Sequence, residues 1–447
     1  MDELAKRVTV AAAALVAVLV ASGAHAQVAA ESPKRPVPDY DGMGPPPKPQ
    51  PGLWVPRVLL SPLYFTSEFV LRRPIGAITR EMEKAKLPEK AYDFFAFGPD
   101  HTIGFAPVAL AEFGFNPSIG VWGFWDDAIV KHNHVRLHIE VWPTDWLAET
   151  LTDRFDFTKS TALTLRGVGF ARPDQVFYGL GSDSAQYHQS RFTERLFDAS
   201  AMVRAFLWRS TRFEVQAGVR KVELTPGHYG SDPSLEVEAR TGAFALPFGF
   251  ERGYLAPYGR ALFMLDTRAR DATTGSGVRL EAHADGGGDA EHAPASGWIH
   301  YGGSATVFVD LDDHGRVLSL AAATMFADPI GDQPIPFTEL VTLGGDNWLH
   351  GFYPGRLRDR SGAVAQLEYT WPVAPWLNGT LNGAVGNVFG EHLTNFDPKL
   401  LRVSAGIGLS STSNPPVEVL AAFGTETIEH GATVDAFRLS FGVPRLF

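Results

Sequence analysis

"HVRLHIEV", residues 134–141, alternates polar and apolar side chains one by one. Successive side chains of a β-strand point to opposite faces, so this stretch predicts a strand with one polar and one apolar face. The polar face carries His134, Arg136, His138 and Glu140. The apolar face carries Val135, Leu137, Ile139 and Val141.

The same alternation returns in "RFEVQAGVR" (212–220) and "SATVFVDLDD" (304–313). A soluble sandwich also alternates, but repetition over several hundred residues with charges on one face favours a membrane barrel, whose polar face lines the lumen. The candidate strands are even in number, as expected for a single-chain outer-membrane barrel. They are 101–112, 117–126, 132–143, 146–156, 159–170, 193–208, 211–222, 256–268, 276–286, 299–312, 315–327, 363–373, 377–388, 400–411, 416–424 and 434–446. The sequence therefore predicts an all-β fold, a 16-stranded antiparallel transmembrane β-barrel over residues 100–447.

The N-terminal part predicts export. Lys6 and Arg7 precede an apolar run, and the small-x-small tripeptide "AHA" ends at Ala26, as in a secretory signal peptide over residues 1–26. Residues 27–57 are rich in proline and predict an extended linker. Residues 58–99 mix apolar and charged positions at helical spacing and predict a short helical periplasmic segment.

Composition narrows the class of protein. The chain has no cysteine, so no disulfide framework stabilises it after export. Its mean hydropathy is −0.05, and no apolar run after the signal reaches the ~20 residues of a membrane helix. A net charge of −11 argues against nucleic-acid binding. We expect membrane lipids to be the main partner and the protein to be a monomer in a Gram-negative outer membrane.

Connection lengths predict an orientation. "DDHG" (312–315), "APW" (374–376) and "TSNP" (412–415) are short, as periplasmic turns are. Longer connections fall at the opposite ends of the strands, where extracellular loops are expected. They are 223–255, 287–298, 328–362, 389–399 and 425–433.

One long connection carries a motif. "LHGFYPGRLRDRSG" (349–362) is followed by the strand "AVAQLEYTWPV", and the region resembles the sixth extracellular loop and next strand of the BamA/TamA superfamily of sixteen-stranded barrels. "FYGLGSDSAQYHQSRF" (177–192) is similar to a segment frequent in these barrels. In the family this loop folds back into the lumen, and its tip arginine meets an acidic residue on the next strand but one.

This chain departs from the pattern at both partners: His350 replaces the arginine, and Ala384 stands where the family has aspartate. The resemblance still implies an inward loop, held instead by a loop arginine on a wall acid, with Glu368 the first candidate. The loop residues assigned to the motif are Leu349, His350, Gly351, Phe352, Arg356, Arg358, Asp359 and Arg360.

The resemblance implies a reduced member without the periplasmic POTRA repeats, since residues 27–100 leave room only for a linker and a short helix. We interpret the protein as a non-enzyme related to membrane biogenesis or translocation, with a partner protein not identified. The alternatives are a porin-like transport pore and a barrel-embedded lipid hydrolase, for which "GLGSDSAQYHQS" supplies serine and histidine without the nucleophile-elbow spacing. His132, His134 and His138 share a strand face, but isolated lumen histidines explain them. No catalytic residue, cofactor or metal site is therefore assigned.

Overall fold

The computed structural model describes residues 73–86, 90, 93–143, 145–269, 275–311, 313–346, 348–413 and 415–443. The predicted signal peptide, the linker and the last four residues of the chain lie outside these ranges. The predicted helical segment falls partly within them, and there helix α1 spans Arg73–Lys84. No helix in the described ranges is long and apolar enough to cross a membrane.

Sixteen antiparallel strands, labelled β1 to β16 in chain order, form the wall, and each pairs with its neighbours in sequence. Strand β16 pairs with β1 and closes the barrel, so the predicted fold is confirmed. The strands are Ile103–Glu112, Ser118–Asp126, Asn133–Trp142, Trp146–Asp156, Thr161–Phe177, Ser190–Trp208, Thr211–Pro226, Tyr254–Asp266, Gly277–Gly288, Gly297–Asp310, Val317–Ile330, Ser361–Ala374, Leu377–Phe389, Arg402–Ser411, Glu418–Thr425 and Val434–Gly442.

Within the described ranges, three short strands and a second helix lie outside the wall. Ala96–Phe97 pairs with the start of β1, and Val341–Leu343 pairs with Leu357–Asp359 in the connection between β11 and β12. Helix α2, Leu235–Arg240, lies between β7 and β8. None of these elements interrupts the wall.

The two faces of the wall differ as the alternation predicts. On β3, Leu137 is 38% exposed and points outward, whereas His138 is 2% exposed and faces the interior. The inner face pairs its charges, for example Arg220 with Asp198 at 3.2 Å. Large exposed apolar side chains form an outer belt around the wall. The belt comprises Phe105, Val121, Leu137, Leu151, Leu165, Phe197, Val215, Phe263, Leu280, Val307, Leu320, Leu367, Phe423 and Phe437.

Arginine in the outer belt is expected to destabilise the barrel. Leu137→Arg should lower the free energy of unfolding in lipid vesicles by about 2–4 kcal/mol if this position lies near the bilayer midplane. The control is His134→Arg, because His134 already contacts Asp126 and Asp156 on the inner face and the new cation keeps these partners. Urea titrations of the two variants measure the difference, and equal losses would contradict the face assignment.

The connections divide into two groups at the two ends of the barrel. The turn rim carries 127–132, 157–160, 209–210, 267–276, 311–316, 375–376 and 412–417. The loop rim carries 113–117, 143–145, 178–189, 227–253, 289–296, 331–360, 390–401 and 426–433. The predicted short turns all fall on the first rim and the predicted long loops on the second.

The seam between β16 and β1 is short. Its register contains only the pairs Ser440–Glu112, Phe441–Ala111 and Gly442–Leu110, whereas β12 and β13 pair along nearly their whole length. Gly442 has φ +131°, and a Cβ there would collide with the backbone of Ala109 and Leu110. The pairs join the C-terminal end of β1 to the C-terminal end of β16, and the Val443 N–H donates to the Ala109 carbonyl at 3.1 Å directly beyond them.

Because few backbone hydrogen bonds hold the seam, disulfide trapping across it should be slow and incomplete. A cysteine pair at positions 111 and 441 tests the seam in this cysteine-free chain. A pair at 367 and 383, which are directly opposed on β12 and β13, is the matched control. Brief oxidation followed by gel analysis should give a lower yield for the seam pair, and equal rapid yields would show a conventional closed wall.

Candidate functional site

The connection between β11 and β12, residues 331–360, enters the barrel instead of extending from it. Its two arms form a ribbon in which Val341 pairs with Asp359 and Leu343 pairs with Leu357. The ribbon is a rigid stem because backbone hydrogen bonds join its arms. The stem carries the tip, residues 349–353, towards the inner wall.

The tip is buried against the inner face of the wall, on β12 and the strands that follow it. Leu349 and Phe352 are both 0% exposed and pack in an apolar cluster with Val364 of β12 and Ala384 of β13. The backbone N–H of Gly351 donates to the Ser404 hydroxyl of β14 at 2.8 Å. These contacts place the tip inside the barrel, across β12 to β14.

Glycine is required at the tip and on the wall beneath it. A Cβ on Gly351 would collide with the Phe423 carbonyl of β15, and a Cβ on Gly424 would collide with the Phe352 ring. The backbone of the loop and the backbone of the wall therefore approach so closely that only glycine fits at these two positions. The sequence signal for this approach is the Leu-His-Gly-Phe motif itself.

The site at which the family places its charged pair is apolar here. The His350 ring contacts the Gly345 carbonyl through Nδ1 at 3.1 Å, and burial lowers the pKa of His350, so the ring is neutral at neutral pH. Ala384 lies in the same apolar cluster as Leu349 and Phe352. Loss of both charges thus leaves neither partner as an unpaired ion at this site, and packing replaces the ion pair.

Arg356 fixes the returning arm of the loop. Its guanidinium donates to the Ser184 hydroxyl and the Ser184 carbonyl at 2.8 Å each, and to the Gln186 side chain at 3.0 Å. The ring of Tyr178 lies 4.4 Å below the guanidinium carbon, close enough for a cation–π contact. Burial lowers the pKa of Arg356 to about 10, which still leaves the group charged at neutral pH.

Arg402 of β14 completes this arrangement. Its guanidinium donates to the same Ser184 carbonyl at 3.0 Å and approaches Asp435 of β16 at 3.5 Å and Glu426 at 3.1 Å. Arg356 lies 4.0 Å from the same Asp435 carboxylate. We refer to Arg356, Arg402, Ser184, Gln186 and Asp435 as the arginine clamp. It joins the inward loop to the connection 178–189 and to two wall strands.

The next three motif residues contact different parts of the barrel. Arg358 donates to the Phe337 carbonyl within the loop and lies over the Phe337 ring at 5.2 Å. Asp359 accepts the Arg360 backbone N–H at 2.7 Å, and burial raises the pKa of Asp359. Arg360 pairs with Asp328 at 3.1 Å and Glu391 at 3.0 Å at the loop rim, in a more exposed setting.

The Tyr353 side chain contacts the β1 side of the seam. Its ring packs edge-on against Phe115 in the connection between β1 and β2, with centroids 5.0 Å apart. A Cβ on the neighbouring Gly114 would meet the tyrosine hydroxyl. One loop therefore contacts both sides of the seam, since its tip lies on β14 and β15 and Tyr353 lies beside β1.

The structure corrects the predicted wall partner. Glu368 faces the interior of β12, but its hydrogen bond among the described residues is with the Thr370 hydroxyl at 3.3 Å, and no loop arginine reaches it. The stem directs Arg356 across the barrel, away from the strand that follows the loop. The actual partners, Ser184 and Gln186, belong to "FYGLGSDSAQYHQSRF", so the similarity of that segment to the family was the signal that could have found them.

Several of the polar groups considered for catalysis or metal binding make other contacts. The Ser184 hydroxyl accepts from Arg356, whereas His188 pairs with Glu238 at 3.0 Å, so these two side chains have different partners. His134 contacts two aspartates, and His138 contacts Glu140 at 2.8 Å. In the described ranges, the group with metal-ligand spacing is Asp328, Glu391 and His392, which Arg360 already bridges.

No family profile and no curated protein matches this chain in sequence. The structure of BamA from Haemophilus ducreyi lacking POTRA domains 1–3 is similar, with 16% identity, a TM-score of 0.50, and coverage of 76% of this chain and 70% of that one. CdiB from Acinetobacter baumannii and CdiB from Escherichia coli show 9% and 12% identity over 76% and 77% of this chain, with TM-scores of 0.46 and 0.48. This chain spans 58% and 64% of those CdiB chains. The comparison with BamA shows a shared barrel fold, as the loop motif predicted.

Proposed function

We propose that this protein is an outer-membrane barrel of the BamA/TamA type that acts in membrane biogenesis or translocation, as neither an enzyme nor an open pore. The observation that carries the proposal is the inward loop, whose tip residues Leu349 and Phe352 are fully buried against the inner wall. The barrel fold shared with BamA supports it. So does the outer apolar belt, which fits the hydrocarbon core of a membrane.

The loop and the seam favour a barrel whose wall opens sideways. They argue against a barrel whose lumen conducts solutes. The arginine clamp and the apolar tip fix the loop across the interior, where a mobile pore constriction would have fewer buried contacts. The seam has the fewest backbone pairs in the closed wall, and the buried ion pair of Arg438 with Glu112 also crosses it. A barrel with a fixed plug and a short seam can expose strand edges to the membrane while solute flow stays low.

Ion conductance distinguishes this proposal from a transport pore. Purified protein in planar bilayers should conduct weakly, and a variant with residues 345–356 replaced by a short Gly-Ser linker should conduct strongly, because the replacement removes the tip and Arg356. The matched control replaces 390–397 in a neighbouring loop of the same rim and should conduct as the parent does. Strong conductance of the parent would favour the porin-like alternative.

A reconstitution assay tests the proposed activity itself. Liposomes containing the protein should accelerate the insertion of a separately unfolded eight-stranded outer-membrane barrel, followed by its heat-dependent shift on gels. Disulfide closure of the seam through cysteines at 111 and 441 should lower the acceleration in proportion to the crosslinked fraction, and reduction should restore it. Release of fatty acid from the liposomes, or insertion no faster than into empty liposomes, would count against a non-enzymatic biogenesis role.

A further inference from the structure

An open cleft of about 610 Å³ lies on the outer surface of the barrel at the loop rim. We call it the rim groove and define it by Val141, Leu147, Ala171, Thr193, Arg195 and His228. The strand residues that define it lie on the outward face of β3 to β6, and the buried Trp146 and the end of β7 complete its lining. The groove has no part in the function proposed above.

The groove exists because neighbouring strands end at different levels. Val141, Leu147, Ala171 and Arg195 form one continuous row of cross-strand neighbours from β3 to β6. The β3–β4 connection follows almost immediately beyond this row, whereas β5 continues to Phe177. β5 therefore extends further towards the loop rim than the β3–β4 turn, and this difference in height forms a step in the outer wall.

The floor of the groove is apolar and its upper edge is polar. Val141 and Leu147 are 43% and 40% exposed and continue the outer belt upward. Above them, His228 approaches Asp145 at 3.4 Å and so connects the β7–β8 loop to the β3–β4 turn. The Thr193 hydroxyl donates to the Pro226 carbonyl at 2.8 Å and fixes one side.

Arg195 is an exposed cation on the face that otherwise carries the belt. Phe197, the next residue on that face of β6, is 58% exposed, so the guanidinium lies where the apolar belt gives way to the polar rim. The acidic cross-strand neighbour is Glu223, and the described residues show no ion pair between them. An outward arginine costs ~2–4 kcal/mol at the bilayer midplane but only ~0–1 kcal/mol near the interface. Its position therefore corresponds to the headgroup level.

We propose that the rim groove binds the phosphate headgroup of a membrane lipid. Arg195 offers paired N–H donors that match phosphate oxygens, and Val141, Leu147 and Ala171 contact the first methylenes of an acyl chain. The Asp145 carboxylate at the upper edge is partnered by His228, which reduces its repulsion of the phosphate. A lipid is the occupant because the groove opens outward, directly above the belt that meets the bilayer.

Native mass spectrometry of the detergent-purified protein tests this site. With added dioleoylphosphatidylglycerol, the parent should retain one lipid tightly, and Arg195→Gln should weaken that binding roughly tenfold, consistent with loss of a charge-assisted hydrogen bond. Arg195→Lys keeps the charge and should retain part of the affinity. Arg260→Gln removes an arginine from the interior face and should bind as the parent does.

Two further ligands identify what is recognised. Dioleoylglycerol has the same chains without phosphate and should bind far more weakly, and inorganic phosphate at millimolar concentration should not displace the lipid. Equal binding of the two lipids, displacement by phosphate alone, or unchanged binding by Arg195→Gln would overturn the proposal. A heat-dependent gel shift verifies that each variant is folded. Arg195→Gln should conduct as weakly as the parent, which would show that the inward loop is intact and that any loss of lipid binding arises at the groove.

Discussion

Arg356→Ala is expected to release the inward loop and to expose residues 349–362 to protease added from the loop side. The substitution removes one of the two arginines of the arginine clamp and leaves the Ser184 hydroxyl and the Gln186 side-chain oxygen without the Arg356 donor. Breaking a buried, hydrogen-bonded charge arrangement typically costs about 3–5 kcal/mol. This loss is large enough to convert a fixed loop into one that is open for much of the time.

Arg360→Ala is the matched control for this experiment. Arg360 lies four residues further along the same loop, but it is partly exposed and its partners Asp328 and Glu391 lie at the rim. Ion pairs of this kind contribute about 0–1 kcal/mol, so the parent's resistance to protease should persist. Cleavage sites and rates can be followed by mass spectrometry. Rapid cleavage of the parent within 349–362, or equal cleavage of the two variants, would show that Arg356 does not hold the loop.

The wall could be predicted from the sequence because its signal is local. Alternation such as that of "HVRLHIEV" records inner and outer faces directly, and β4 was located at its observed bounds, Trp146–Asp156. β5 was predicted too short because "ARPDQVF" lacks the alternation. There the pairing with β6 shifts register between Arg172 and Gln175, around Pro173, which cannot donate to the ladder.

The partners of the loop could not be predicted in the same way. Arg356 and Ser184 are separated by 172 residues, and the barrel closure alone brings them together. The sequence predicts Glu368 because this residue is acidic and close to the loop in the chain, but the stem directs Arg356 away from β12. The sequence indicates the loss of an ion pair, because His350 and Ala384 replace its two charged residues. That an apolar cluster with Leu349 and Phe352 would take its place required the three-dimensional contacts.

Phe352→Ala is expected to produce the other large effect, through packing. The side chain is 0% exposed, and its ring lies against Gly424 on the wall, where no neighbouring Cβ can move in to fill the space. Truncating a buried phenylalanine typically costs about 3–5 kcal/mol, with the upper values where the site cannot collapse. Two backbones already in close contact, at Gly351 and Phe423, limit that collapse.

Urea-induced unfolding in lipid vesicles, followed by tryptophan fluorescence, measures this loss. Phe396→Ala in a neighbouring loop of the same rim is the control, since that ring is 48% exposed and its removal should change the unfolding midpoint little. Glu368→Ala should also be mild, because its carboxylate contacts only Thr370 among the described residues. If Phe352→Ala and Phe396→Ala shift the midpoint equally, the tip does not anchor the loop. The apolar cluster would then not replace the family's ion pair.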